Sequence, residues 1–81
     1  MVVSVEFFGA QRALTKTAKV QVPLAENGQV RDVFTYLTGY YPDLTLSEEA
    51  VVVTVNNKTS TMNHALKPAD KIVFLPHVGG G

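Results

Sequence analysis

Cysteine is absent from these 81 residues, which removes disulfides, thiolate metal sites and a thiol nucleophile together. Any sulfur chemistry in which the chain takes part must use sulfur that is not its own. Histidine is scarce. His64 and His77 stand thirteen residues apart with no metal-ligand partner at useful spacing, so His64 reads as a turn residue hydrogen-bonded locally and His77 as a solvated side chain in an extended tail. The serines and threonines lack a nearby base at any spacing that supports nucleophilic catalysis. Gly79-Gly80-Gly81 is followed by no helix N-terminus and is therefore not a phosphate loop. Nothing in the chain suits ATP.

Neither sign of charge dominates. Seven Lys plus Arg balance seven Asp plus Glu, so electrostatics suggest neither a nucleic-acid surface nor a polyacidic partner, and binding is expected to rest on shape and local contacts. No apolar run approaches membrane-spanning length, and Met1 to Phe8, which contains Glu6, is too short and too alternating for a signal peptide. These features predict a soluble cytoplasmic protein with no membrane and no nucleic-acid partner.

What the chain does have is a core. An apolar fraction of 46% over this length is enough for one modest domain and not for two. Val2 to Phe8 alternates, with Val3, Val5 and Phe7 on one face and Ser4, Glu6 and Phe8 on the other, the period of a half-buried strand. A short helical or turn-like piece lies in Gly9 to Lys16, and Thr17 to Val22 returns to strand character before Pro23. From Gln29 to Tyr41 the period changes: Val30, Val33, Phe34, Leu37 and Tyr41 make one helical stripe, with Asp32 in the first turn and Pro42 ending it. Gln29 is a poor N-cap and Gly39 a weak helix former, so both ends are expected to fray.

Val51 to Val55 is β-branched and apolar on both faces for most of its length, which predicts a central strand. Asn56-Asn57 suits a tight turn into a short strand near Lys58 to Met62, and Lys71 to Leu75 closes the fold with Ile72 and Phe74 inward. The main order is β-β-α-β-β-β. An α+β fold with one main helix on one face of a mixed sheet of about five strands, first and last strands adjacent, is the β-grasp (ubiquitin-like) arrangement. Residues 1–78 form the domain and residues 79–81 a flexible glycine tail. With the other alternation facing the helix, Phe8, Val73 and Leu75 point outward near the start of that tail, as a partner surface would.

The reactive feature left is the terminal carboxylate of Gly81. A carboxylate is a poor electrophile until its oxygen becomes a leaving group. ATP can do this by forming an acyl-adenylate, on a separate enzyme that bears the phosphate charge. A sulfur donor can then leave a thiocarboxylate, or an amine an amide, and glycine suits both because its chain threads a narrow channel and its acyl carbon stays open.

Several motifs resemble the MoaD/ThiS sulfur carriers over the whole chain, and most closely the small subunits of molybdopterin synthases. They are Val5-Glu6-Phe7-Phe8-Gly9-Ala10-Gln11-Arg12-Ala13-Leu14, the helix ending in Tyr41-Pro42, Val55-Asn56, Leu66-Lys67-Pro68-Ala69-Asp70, and above all Phe74-Leu75-Pro76-His77-Val78-Gly79-Gly80-Gly81. The resemblance implies a non-catalytic carrier whose Gly81 is adenylated and thiocarboxylated, with Gly80 the second glycine of the family ending and Gly79 a small spacer. It implies two partners, an E1-like adenylyltransferase and the large subunit of molybdopterin synthase. ATP and the sulfur donor are used by the adenylating enzyme, and no cofactor is bound by the chain. Phe8 and Leu75 match the apolar partner surface, Arg12 a basic position beside it, and Pro76, Val78 and Gly79 the segment that enters the partner's site. The chain departs from the pattern at Thr59, where an aliphatic residue is common, at His77, which replaces a proline, and at Pro68-Ala69-Asp70, which replaces Asp-Gly-Asp. A carrier in thiazole synthesis, a ubiquitin-like modifier joined to lysines through Gly81, and a plain β-grasp interaction module are the alternatives.

Overall fold

The computed structural model describes residues 1–44, 46–49 and 51–76. Seven elements follow in the order β1 (Val2–Glu6), α1 (Gly9–Thr15), β2 (Lys19–Pro23), α2 (Val30–Tyr40), β3 (Val51–Val55), β4 (Lys58–Ser60) and β5 (Lys71–Pro76). The five strands form one mixed sheet in the order β2-β1-β5-β3-β4. The first and last strands are adjacent and parallel, with Val5 beside Ile72; the other pairs are antiparallel. This is the ubiquitin-like β-grasp fold, with two helices. The turn-like piece after the first strand is a full helix of seven residues.

One face of the sheet packs against α2. Val3, Val5, Val22, Ile72 and Phe74 meet Val30, Val33, Phe34 and Leu37, each at most 9% exposed. Phe34 and Phe74 touch edge to face with ring centroids 5.8 Å apart, a geometry that adds attraction beyond the buried area. The helical stripe is thus the one the spacing predicts. Its N-terminus is firmer than expected. The Asp32 carboxylate reaches back in a capping box to accept the Gln29 N–H at 2.8 Å, and Val30 and Arg31 N–H donate to His64 O and Met62 O. The donors of the first turn are satisfied by the connection after β4.

Three further expectations are corrected. Strand β1 ends at Glu6, and Phe8 is the extended N-cap of α1 (φ −131°, ψ 155°). The turn between them depends on Gly9 at φ +55°, a conformation that costs an L-residue about 1–2 kcal/mol. β3 lies inside the sheet as the sequence predicts, between β5 and β4, but its two apolar faces are not both buried: Val53 and Val55 are buried and Val52 is exposed, because α2 covers a single face. Val73 points outward yet is only 7% exposed. It lies on the central strand with Glu6 and Thr54 directly beside it, so flanking side chains on both neighbouring strands shield it.

Asn56 and Asn57 both take positive φ, 52° and 70°, making the tight β3–β4 turn that asparagine tolerates. Asn56 also ties that turn to the start of β5: its amide donates to Asp70 Oδ1 at 2.9 Å and its carbonyl oxygen accepts the Lys71 N–H at 3.0 Å.

Candidate functional site

Strand alternation and register place the site. On the outer face, opposite α2, Leu75 and Val52 face one another across the antiparallel β3·β5 ladder. The parallel β1·β5 ladder ends with Glu6 beside Val73, and α1, which Phe8 caps, is tied to the end of β5 by the Gln11 amide on Phe74 O. Phe8 is 53% exposed, Leu75 39% and Val52 38%. Three large apolar side chains therefore stand in solvent at the end of the sheet where β5 runs on towards Gly79-Gly80-Gly81. Val2, Leu14 and Tyr40 are exposed too, but it is several apolar side chains gathered at one end that mark a binding surface.

Why Phe8 is free to stand there is decided two residues earlier. Ser4 N–H donates to Asp70 O at 2.9 Å, and in a parallel ladder that pattern advances two residues at a time. Phe8 N–H would be the next donor but one, to Phe74 O. Instead β1 leaves the sheet after Glu6, Phe7 N–H bonds Ala18 O at 2.9 Å, and the buried amide of Gln11 donates to Phe74 O at 2.7 Å. Helix α1 thus completes the sheet with a side chain where the backbone has departed, which frees Phe8 and holds β5 straight up to Leu75. Arg12 follows Gln11 and is exposed beside it.

The sequence-predicted residues Phe8, Arg12 and Leu75 are therefore brought to one end of the molecule. Pro76 closes β5 opposite Val51, while Val78, Gly79, Gly80 and Gly81 lie outside the described residues. Two contributors escaped the sequence reading. Val52 was hidden in a valine run, although strict alternation from buried Val53 and Val55 exposes it. Gln11 gave no periodic signal, since one buried polar residue in a short helix looks like any surface glutamine.

Among the described residues an open depression of about 400 Å³ lies beneath the β3–β4 turn, lined by Asn56, Lys58, His64 and Asp70 among others, and a second of similar volume lies over β1 and β2, lined by Ser4, Lys19 and Gln21 among others. The first lies by the start of β5, away from Leu75, and Asp70 is already engaged there by Asn56 Nδ2 and by Lys67 N–H at 2.8 Å. Among the described residues no three His, Cys, Asp or Glu side chains gather as metal ligands do, and no helix is long and apolar enough to cross a membrane.

The fold places the chain in the class of small ubiquitin-like β-grasp proteins, here with an exposed apolar cluster beside the last strand. The chain belongs to the ThiS family of ubiquitin-like sulfur carriers, whose model matches residues 5–81; such MoaD/ThiS-type carriers are generally non-catalytic. No curated protein matches the sequence significantly. Among similar solved structures is SAMP1, small archaeal modifier protein 1, from Haloferax volcanii, 19% identical, with all of both chains covered and a TM-score of 0.83. Another is a chain of the BexX/CysO complex from Amycolatopsis orientalis, 21% identical, covering 98% of this chain and 99% of that one with a TM-score of 0.74. A third comes from the complex of subunits 1 and 2 of molybdopterin-converting factor from Helicobacter pylori 26695, 26% identical, with all of both chains covered and a TM-score of 0.60.

Proposed function

We propose that this protein is the sulfur-carrying small subunit of a molybdopterin synthase. Gly81 is adenylated by an E1-like enzyme that uses ATP, a sulfur donor displaces AMP to leave a thiocarboxylate, and the sulfur is passed to the molybdopterin precursor in the large subunit's active site. Gly80 and Gly79 thread that site, with Val78 and Pro76 leading into it, while Phe8, Arg12 and Leu75 hold the partner.

The observation that carries this reading is the exposed Phe8, Leu75 and Val52 cluster at the end of the sheet from which the glycine tail continues. A carrier needs a docking face next to a tail long enough to reach a buried active site, because docking turns tail insertion into an effectively intramolecular step. Family membership supports the sulfur chemistry, and the Helicobacter pylori complex supports a converting-factor partner. Incubation with the cognate adenylating enzyme, ATP and a sulfur donor should give the intact-mass increase of one oxygen replaced by sulfur. The loaded protein should then convert the pterin precursor with the large subunit. Loss of both on deleting Gly80 and Gly81 is expected, and failure of the intact protein to gain sulfur would reject the proposal.

The likeness in fold to SAMP1 favours one second reading, a modifier joined to lysines through Gly81. Peptide mapping after affinity isolation separates the two: glycine remnants on foreign lysines support the modifier, and free carrier alone supports the first reading.

A further inference from the structure

Asn27 and Gly28 adjoin in the connection between β2 and α2, and of the four asparagines in the chain (Asn27, Asn56, Asn57 and Asn63) Asn27 alone precedes a glycine. An asparagine side-chain amide is an electrophile towards the backbone nitrogen that follows it. Attack is easiest before glycine, whose missing Cβ leaves that nitrogen unhindered and its surroundings free to rotate. Here Asn27 is exposed and Gly28 is buried, so the group that would leave stands in water while the nucleophile does not.

The fold holds that nucleophile in place. Gly28 N–H donates to Ala25 O at 2.9 Å, closing a four-residue turn in which neither Glu26 nor Asn27 takes positive φ. That is type I geometry, with ψ of about 0° at the third residue, and it turns the Gly28 nitrogen away from Asn27 Cγ. Gly28 O accepts the Leu66 N–H at 3.0 Å, and Gln29 pairs with Ala65 in an isolated bridge, so the next peptide unit is fixed as well. A Cβ on Gly28 would lie 3.0 Å from both Ala25 O and Leu24 Cβ. Packing therefore demands the very residue that makes the pair labile.

We propose that Asn27 is a site of spontaneous deamidation and that the folded turn withholds the reaction until residues 25–28 open. On opening, a base in the solvent takes the Gly28 N–H proton and the nitrogen attacks Asn27 Cγ; the side-chain nitrogen leaves as ammonia, and a succinimide ring remains. Water then opens the ring. Breaking the bond from Gly28 N to Cγ gives aspartate, whereas breaking the bond from Gly28 N to the main-chain carbonyl carbon gives isoaspartate, whose chain runs through Cβ and Cγ. Water is consumed, ammonia is released, and nothing is oxidised or reduced.

The two products differ in consequence. Aspartate only adds a negative charge ahead of α2, where the helix dipole favours one. Isoaspartate adds a main-chain carbon immediately before Gly28, which is packed against Leu24 and Ala25, and so draws Gly28 O away from Leu66, a core residue.

Peptide mapping by mass spectrometry after incubation in mildly alkaline buffer tests the site, with the protein folded and in guanidinium chloride. Deamidation should appear first at Asn27 in both states, and at least about 10-fold more slowly in the folded protein, because it waits on local opening. The Gly28 N–H should exchange with deuterium more slowly than in the unfolded chain by a similar factor, since both reactions need the same hydrogen bond broken. Earlier modification of Asn56, Asn57 or Asn63 in the unfolded chain would overturn the choice of site. Equal deamidation rates in the two states, or an unprotected Gly28 N–H, would overturn the gate. Asn27→Asp should melt with the unmodified protein, whereas the separated isoaspartyl form should melt lower and lose protection at the Leu66 N–H. An isoaspartyl form as stable as Asn27→Asp would overturn the link from Gly28 to the core. None of these outcomes bears on sulfur loading at Gly81.

Discussion

Phe74 and Leu75 are neighbours in β5 with opposite fates: one is 1% exposed and edge to face with Phe34, the other 39% exposed and paired with Val52. The contrast extends across the sheet. Inward residues Val3, Val5, Ile72 and Phe74 build the core, while outward Phe8, Val52 and Leu75 contribute apolar surface that the fold does not use. Since strand side chains alternate strictly, the same backbone carries stability on one face and recognition on the other. The two should respond to mutation separately. Phe74→Ala gives the largest expected effect, a loss of about 3–5 kcal/mol from cavity and transfer terms. That is a large share of the stability of a domain this small and is measurable by urea unfolding.

On the outer face the ranking reverses. Phe8→Ser and Leu75→Ser should change unfolding free energy by no more than about 0.5 kcal/mol. The same changes should weaken binding to the adenylating enzyme by roughly 30-fold or more, as removal of an apolar anchor does. Equal losses of stability and binding would show that the two faces are not independent. Val73→Ser adds a control, because Val73 points to the outer face but is buried between Glu6 and Thr54 and should behave as a core residue.

The inner face was legible in the sequence because it is written in periods. Alternation in Val2 to Phe8 and helical spacing from Val30 to Leu37 each named the residues that the structure buries. The outer face was half legible: Phe8 and Leu75 stood out as apolar residues at polar positions, but Val52 was masked by its apolar neighbours, and Val73 needed knowledge of which strand is central. Gln11 was not legible at all, because its place depends on where β1 leaves the sheet, which has no local signature.

Gln11 joins the two faces, since its amide holds the carbonyl of buried Phe74 from a helix that presents Arg12. Gln11→Met keeps the volume and leaves Phe74 O without its donor, a cost of about 1–3 kcal/mol. Because Leu75 follows directly, the loss should extend to recognition. Hydrogen exchange should quicken near Leu75, and partner binding should weaken more than in a surface variant such as Thr38→Ala. An unchanged affinity for the partner would mean that β5 needs no such brace.

The smallest effect belongs to the opposite end of β5, where Ala69 sits at φ 70° in the Lys67-Pro68-Ala69-Asp70 turn. Asp70 N–H bonds Lys67 O at 3.2 Å, Ala69 N–H bonds Val2 O at 2.9 Å, and Asp70 Oδ2 accepts Lys67 N–H, so the turn is fixed and cannot relax the strained residue. Proline followed by positive φ is type II geometry, which favours glycine at the third place. An alanine there costs about 1–2 kcal/mol, and glycine returns part of that as extra freedom of the unfolded chain, about 0.5–1 kcal/mol. Ala69→Gly should therefore stabilise by about 0.5–1 kcal/mol, raising the melting temperature by a few degrees in a domain of this size. Asn56→Gly, also at positive φ, should destabilise, because the Asn56 side chain bonds both Asp70 and Lys71. Neither change should alter partner association, since this turn is at the far end of β5 from Phe8 and Leu75.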